Sequence, residues 1–287
     1  MKLIDVSGVT YAYNDGHQAL KNVSLEIAKG ERIAILGPNG AGKSTLFQLF
    51  NGLLLATSGT VTVKGLSVQK ENLPEIRRTV GMVFQDPDDQ LFNSTVRQEI
   101  AYGLMNMRIS GQALEDSIAW ALDVVGMRGY ETKSPHNLSG GEKKRIALAS
   151  VLAMKPEVLV LDEPTAALDP HGVSQLVRLL NTINRDLGIT LIFATHDVDI
   201  VPLLADRVYL LSKGEIILTG TTEEVFSNKE TIRQINLRLP RVAHLVELLA
   251  RDSGLTLSNL PLTIGQAKHR LEENNYTFMT RTRISDS

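Results

Sequence analysis

Residues Gly37-Pro38-Asn39-Gly40-Ala41-Gly42-Lys43-Ser44-Thr45 fit the spacing G-x-x-x-x-G-K-[ST] in full. The apolar run Ile33 to Leu36 precedes them and the helical run Leu46 to Phe50 follows, the strand-to-helix setting that this spacing needs. Glycines let the backbone wrap an anion so that successive N–H groups point inward, and a helix opening at Gly42 adds its positive dipole end. Lys43 brings a point charge to the β- and γ-phosphates, and the Ser44 hydroxyl is an oxygen donor for Mg2+. A glycine-rich turn arising by chance would not carry both flanks. The segment reads as a nucleoside-triphosphate cradle.

Val158-Leu159-Val160-Leu161-Asp162-Glu163 is an apolar strand that ends in two carboxylates. An aspartate at the carboxyl end of a strand beside such a cradle is placed to hold Mg2+. Side chains alternate along a strand, so Glu163 does not duplicate that task. A carboxylate facing the γ-phosphate, shielded from bulk water, is suited to polarising an attacking water. Hydrolysis is therefore favoured over phosphoryl transfer to a bound acceptor.

A second glycine-rich turn, Leu138-Ser139-Gly140-Gly141-Glu142, runs into Lys143-Lys144-Arg145-Ile146-Ala147-Leu148-Ala149, a strong helix former. Ser139 is a good N-cap, and the two glycines let a ligand approach the backbone. On its own this is an ordinary helix start. Beside a complete cradle it is a surplus anion site, which makes sense if it grips the γ-phosphate of a nucleotide held by another copy.

The chain that must position these groups has 287 residues, 43% of them hydrophobic and 22% charged, with a net charge of −2. That is globular composition with enough apolar material for a sizeable core. It lacks the basic balance of a nucleic-acid binder. It has 0 cysteines, which excludes disulfides, thiolate metal sites and cysteine nucleophiles. No run approaches the ~18 apolar residues of a membrane span, and the start of the chain lacks the apolar stretch of a signal peptide.

Short β-rich runs open the sequence at Leu3–Val9, Leu25–Ile27, Glu31–Leu36 and Gly59–Val63, followed by Val80–Phe84. Helical spacing takes over at Thr95–Met107, Leu114–Val125 and Glu142–Ala153. Buried-strand patterns return at Val158–Leu161, Thr190–Ala194 and Val208–Leu211, with a helical run Ser174–Asp186 between the first two. Strand, crossover helix, strand predicts a parallel sheet. The expected α/β fold is thus a P-loop core with a parallel sheet, an N-terminal antiparallel portion and a helical subdomain inserted at about 86–156. Beyond Phe226 the spacing predicts a small helical extension, broken at Pro240, with Thr263 and Gln266 as a capping box and a polar tail from Asn275.

Together these motifs resemble the ATP-binding subunit of ABC transporters over residues 1–225, leaving 226–287 as the extension. Leu138 to Glu142 is identical to the ABC signature, and its pairing with a P-loop is very specific. The resemblance implies that Ser139, Gly140, Gly141 and Glu142 face the ATP of a partner subunit. It makes Gln85 a Q-loop residue near Mg2+ or the attacking water, Asp169 a D-loop dimer contact and His196 the H-loop switch. It also places Tyr13 where an aromatic stacks on adenine, with Tyr11 as the substitute; base–aromatic stacking contributes about 1–3 kcal/mol.

Val83-Phe84-Gln85-Asp86-Pro87-Asp88-Asp89-Gln90-Leu91-Phe92, with Thr95-Val96 and Glu99 to Gly103 after it, is similar to the energy-coupling-factor and cobalt-type importer ATPases. That resemblance implies ATP and Mg2+ as cofactors, an integral membrane coupling protein and a substrate-binding membrane subunit as partners, and no nucleic acid. It implies a homodimer or a heterodimer with a second ATP-binding subunit, peripheral on the cytoplasmic membrane face. The solute would be a metal ion (cobalt or nickel) or a vitamin. The alternative is a soluble ABC-type ATPase acting on ribosomes or nucleic acid, which usually needs two cassettes in one chain or a coiled-coil insertion. A GTPase would want Asn-Lys-x-Asp, which Asn228-Lys229-Glu230-Thr231 is not. A P-loop kinase leaves Leu138 to Glu142 unexplained.

Overall fold

The computed structural model describes residues 2–253 and 260–273; the expected polar tail lies outside the described residues. The chain opens with the hairpin β1 (Lys2–Ala12) and β2 (Gln18–Ala28), then β3 (Arg32–Leu36) and α1 (Lys43–Phe50). Next come β4 (Ser58–Val63), β5 (Leu66–Ser67), α2 (Leu73–Thr79) and β6 (Val80–Val83). Three helices follow, α3 (Val96–Asn106), α4 (Gln112–Val124) and α5 (Gly140–Leu152). The chain returns through β7 (Val158–Asp162), α6 (Pro170–Leu187), β8 (Thr190–Thr195), α7 (Val201–Leu204), β9 (Arg207–Ser212) and β10 (Glu215–Thr221). It closes with α8 (Thr222–Ser227), α9 (Lys229–Gln234), α10 (Arg241–Ser253) and α11 (Ile264–Glu273).

Two sheets result. The first is antiparallel in the order β2-β1-β4-β5; the second has the order β10-β9-β3-β8-β7-β6, parallel from β9 to β6 with β10 antiparallel at its edge. The inner strands are buried on both faces, hence their continuous Val, Ile and Leu runs. Alternation along β3 divides the core between the two faces. Ile33 and Ile35 pack with α1 and the antiparallel sheet, whereas Ala34 and Leu36 pack with the helices on the other side.

The sheet delivers the chemistry to one edge, because all its parallel strands end on the same side. Leu36, Val83, Asp162 and Thr195 are the last residues of β3, β6, β7 and β8, and the cradle, Gln85, Glu163 and His196 follow them. This is the carboxyl edge at which open α/β sheets bind ligands. β2 is longer than the expected Leu25–Ile27 because its pairing with β1 runs from Ala28 back to Gln18. The β9–β10 hairpin, turned at Lys213-Gly214 with both residues at positive φ, was not expected from the sequence. Capping at Thr263 is as expected: Gln266 Oε1 accepts from the Leu262 and Thr263 N–H groups, and the Thr263 hydroxyl accepts from Gln266 N–H.

Candidate functional site

Between β3 and α1 the backbone turns so tightly that only glycine fits at two points. A Cβ on Gly37 would lie 2.2 Å from the Leu211 carbonyl oxygen; Gly42, at φ 105°, would meet the Ala19 carbonyl at 2.6 Å. The Lys43 ammonium is folded back over the loop, donating to the carbonyls of Gly37 at 2.8 Å and Pro38 at 3.1 Å. It also stands 3.7 Å from Glu163 Oε1. Burial pushes the Lys43 amine below its ordinary range, against the pull of Glu163 and Asp162. Burial likewise pushes the Asp162 carboxyl up, while a hydrogen bond from Ser44 opposes that rise.

The cradle opens into a cleft of about 400 Å³ that Tyr13, Asn39 to Thr45, Gln85, Asp162, Glu163 and His196 all line. His196 Nδ1 lies 2.9 Å from Glu163 Oε1, so the same carboxylate oxygen faces both an ammonium and an imidazole. Glu163 is buried and sits at φ 44°, a backbone region costly for a residue with a side chain. The Ser44 hydroxyl, the Asp162 carboxylate and the Gln85 amide oxygen are hard donors that suit Mg2+. Among the described residues no cluster of three His, Cys, Asp or Glu could hold a metal alone. A cation shared with phosphate oxygens fits such a donor set better than a closed protein cage.

Tyr13 and not Tyr11 lines the cleft. Its hydroxyl is 2.8 Å from Thr45 Oγ1, and Tyr11 abuts the ring edge-on at 5.0 Å between centroids. His17 runs nearly parallel to the Tyr13 ring and also lines the cleft, a neighbour that the sequence reading did not single out.

The second glycine turn faces a different cavity of about 550 Å³, lined by Ser139 to Glu142, Asp169 and His171, with no lining residue in common with the first. Ser139 and Glu142 form a reciprocal capping box, and Tyr130 donates to Glu142 at 2.8 Å. The Ser139 backbone N–H and its hydroxyl, with Tyr130, hold the Glu142 carboxyl below the usual range. Asp169 caps α6 by accepting from Gly172 N–H at 2.6 Å. A groove of about 500 Å³ runs from Gln85 to Asp89 towards Lys143 and Lys144. Lys144 sits at its end, donating to the carbonyls of Gln85 at 3.3 Å, Glu163 at 3.4 Å and Pro164 at 3.1 Å. In the sequence Lys144 is only a helix former; nothing local marks it as a link between two loops.

The cradle, the strand-end Asp-Glu pair and the glutamine of one cleft, with the capped Ser-Gly-Gly-Glu turn of the other, all fall within residues 20–166, which the family model for the ABC transporter matches. The chain belongs to the ABC transporter ATP-binding family. This ABC ATPase therefore binds and hydrolyses ATP. It is 51% identical over 275 residues to the energy-coupling factor transporter ATP-binding protein EcfA of Methanococcus maripaludis, covering 95% of this chain and 98% of that one. It is 47% identical over 268 residues to EcfA2 of Clostridium perfringens, at 93% and 94% coverage. Among solved structures, cbiO1 of Clostridium perfringens, part of the ABC transporter complex cbiONQ, matches with a TM-score of 0.75 at 46% identity, covering 86% of this chain and 99% of that one. A dimeric ATP-binding cassette, MJ0796, bound to ADP and Pi, matches with a TM-score of 0.70 at 29% identity, with coverage of 76% and 98%.

Proposed function

We propose that this ABC ATPase is the ATP-hydrolysing coupling subunit of an energy-coupling-factor importer. The carrying observation is the cleft in which the cradle, Asp162, Glu163, Gln85 and His196 meet. Residues 1–225 form the motor unit and 226–287 an appended extension. Gly37 to Thr45 wrap the phosphates, Lys43 leaves its carbonyl partners for the β- and γ-phosphates, and Tyr13 takes the adenine. Glu163 accepts a proton from the attacking water as oxygen bonds to the γ-phosphorus and the bond to the β-phosphate oxygen breaks, releasing ADP and phosphate. His196 orients Glu163 and the γ-phosphate, and Gln85 contacts the water. Mg2+, held through Ser44, Asp162 and Gln85, would supply charge neutralisation on the β- and γ-oxygens.

Ser139 to Glu142 of one chain contact the ATP of a second, like or unlike, with Asp169 at the seam. No helix of the described residues is long and apolar enough to cross a membrane. The work of hydrolysis is delivered instead to an integral membrane coupling protein, and the chain sits peripherally on the cytoplasmic membrane face. The groove beside Asp86 to Gln90 is the socket for a helix of that protein. Lys143 pairs with Asp88 at 2.7 Å across it, so movement of Gln85 is passed to the signature helix. Likeness to the EcfA proteins and cbiO1 supports this assignment, and the solute it favours is a metal ion such as cobalt or nickel, or a vitamin. Affinity purification of the tagged chain from detergent-solubilised membranes tests it. Recovery of a polytopic membrane protein with a small substrate-binding membrane subunit is expected. Ribosomes or DNA-repair proteins in their place overturn it.

A further inference from the structure

The helices beyond Phe226 take no part in the chemistry above, yet they are not loosely appended. Leu239, Ala243 and Val246 are buried, and Leu239 and Ala243 join the same core as Val198 and Ile200, which follow His196 in the chain. Between those two anchors lies Asp199, whose side chain is 28% exposed. Its Oδ1 accepts the Arg241 backbone N–H at 2.7 Å, at the first residue of α10. Its Oδ2 lies 3.1 Å from the Arg238 guanidinium and 3.2 Å from Arg241 Nε. Arg238 also reaches Asp197 at 3.8 Å. One carboxylate thus caps a helix of the extension and pairs with two of its guanidinia.

The histidine loop is tied to that carboxylate by its own backbone. Asp199 N–H donates to Asp197 Oδ1 at 3.1 Å, and Asp197 N–H donates to Thr195 Oγ1 at 2.9 Å. His196 lies inside the turn from Thr195 to Asp197, with its imidazole 2.9 Å from Glu163. A solvent-exposed ion pair alone would contribute little; here two arginines, a helix N–H and two side-chain-closed turns act on one short loop.

We propose that Arg238 and Arg241 of the extension are positioning residues for His196, holding the loop 195–199 so that the imidazole stays within reach of Glu163. This rests on the role given to His196 above. Turnover depends on the placement of groups around the γ-phosphate, and displacements of about 1 Å can cost up to 10²-fold. The test uses the full-length chain in its assembled membrane complex, with ATP turnover measured alongside ring resonances of isotope-labelled histidine in the full chain. His196 is assigned by its loss in His196→Ala among the 6 histidines.

Arg238→Ala with Arg241→Ala should lower kcat on the order of 10-fold, leave KM for ATP within about twofold, and shift the His196 resonance. The paired Lys substitutions should recover most of kcat and restore the resonance. If the double Ala variant fails to fold, Asp199→Asn replaces it: it removes the charge and keeps an oxygen for the helix N–H. Wild-type kcat in the folded variant overturns the proposal, as does a lowered kcat with an unmoved His196 resonance. Wild-type turnover in His196→Ala would sink the role of the histidine and this inference together. An inactive His196→Ala beside a fully active Arg238/Arg241 variant would sink the inference alone.

Discussion

Glu163 carries the heaviest chemical duty in the proposed mechanism and the least comfortable backbone. Its φ of 44° and its burial against Lys43 and His196 are stabilised by surroundings that over-determine it. Glu163→Gln keeps the shape and removes the proton acceptor. Turnover should fall on the order of 10²–10⁴-fold while ATP binding persists, as nucleotide titration beside steady-state hydrolysis would show.

Asp162 poses a complementary case. Burial raises its carboxyl above the ordinary range, so the native state binds that proton more readily than the unfolded chain does. The nucleotide-free fold therefore loses stability as pH rises from the ordinary carboxylate range through the raised one. Asp162→Asn removes that dependence: the variant without nucleotide should melt higher than wild type, by a margin that widens across this window and is flat above it. Its Mg2+-dependent nucleotide affinity should drop. Equal melting profiles at every pH would contradict the argument.

At the scale of elements, strand ends bring residues together from four places in the chain, and most of that was legible beforehand. The apolar runs of β3, β7, β8 and β9 stand out because parallel strands covered on both faces need them. β10 was harder to read because its exposure alternates at a sheet edge, and α2 because seven residues hold under two turns. Lys144 is marked only by contacts with segments distant in sequence, and His17 only by its place in the cleft beside the Tyr13 ring four residues away.

Lys144 illustrates the consequence. Its ammonium, depressed by burial, joins α5 to carbonyls after β6 and β7. Lys144→Met preserves the stem but takes the ammonium donor from the Gln85 and Pro164 carbonyls, whereas that of Glu163 keeps the Ala166 N–H at 3.0 Å. The expected loss is about 1–3 kcal/mol in chemical denaturation, with Lys144→Arg recovering part of it. An unchanged midpoint for the Met variant would show that water replaces the ammonium at no cost.

At the scale of the whole molecule the two clefts are separate, and that separation bears on the proposed assembly. Ser139 to Glu142 and the cradle residues Asn39 to Ser44 line cavities with no common residue, so a nucleotide in the first cleft leaves the second turn free. In a head-to-tail pair each ATP would lie between the cradle of one chain and the Ser-Gly-Gly-Glu turn of the other. Bound ATP then favours the closed pair by its differential affinity for that state. Mixing chains distinguishes this arrangement from one in which each chain completes its own site. A Lys43→Ala chain has an intact second turn and a Ser139→Arg chain an intact cradle, so only their heterodimer contains a whole composite site. With Glu163→Gln in both chains to stop hydrolysis, ATP should produce a dimer peak in sedimentation or size exclusion from the mixture and from neither chain alone. Sites completed within one chain would leave the mixture monomeric, because every chain in it carries a defect.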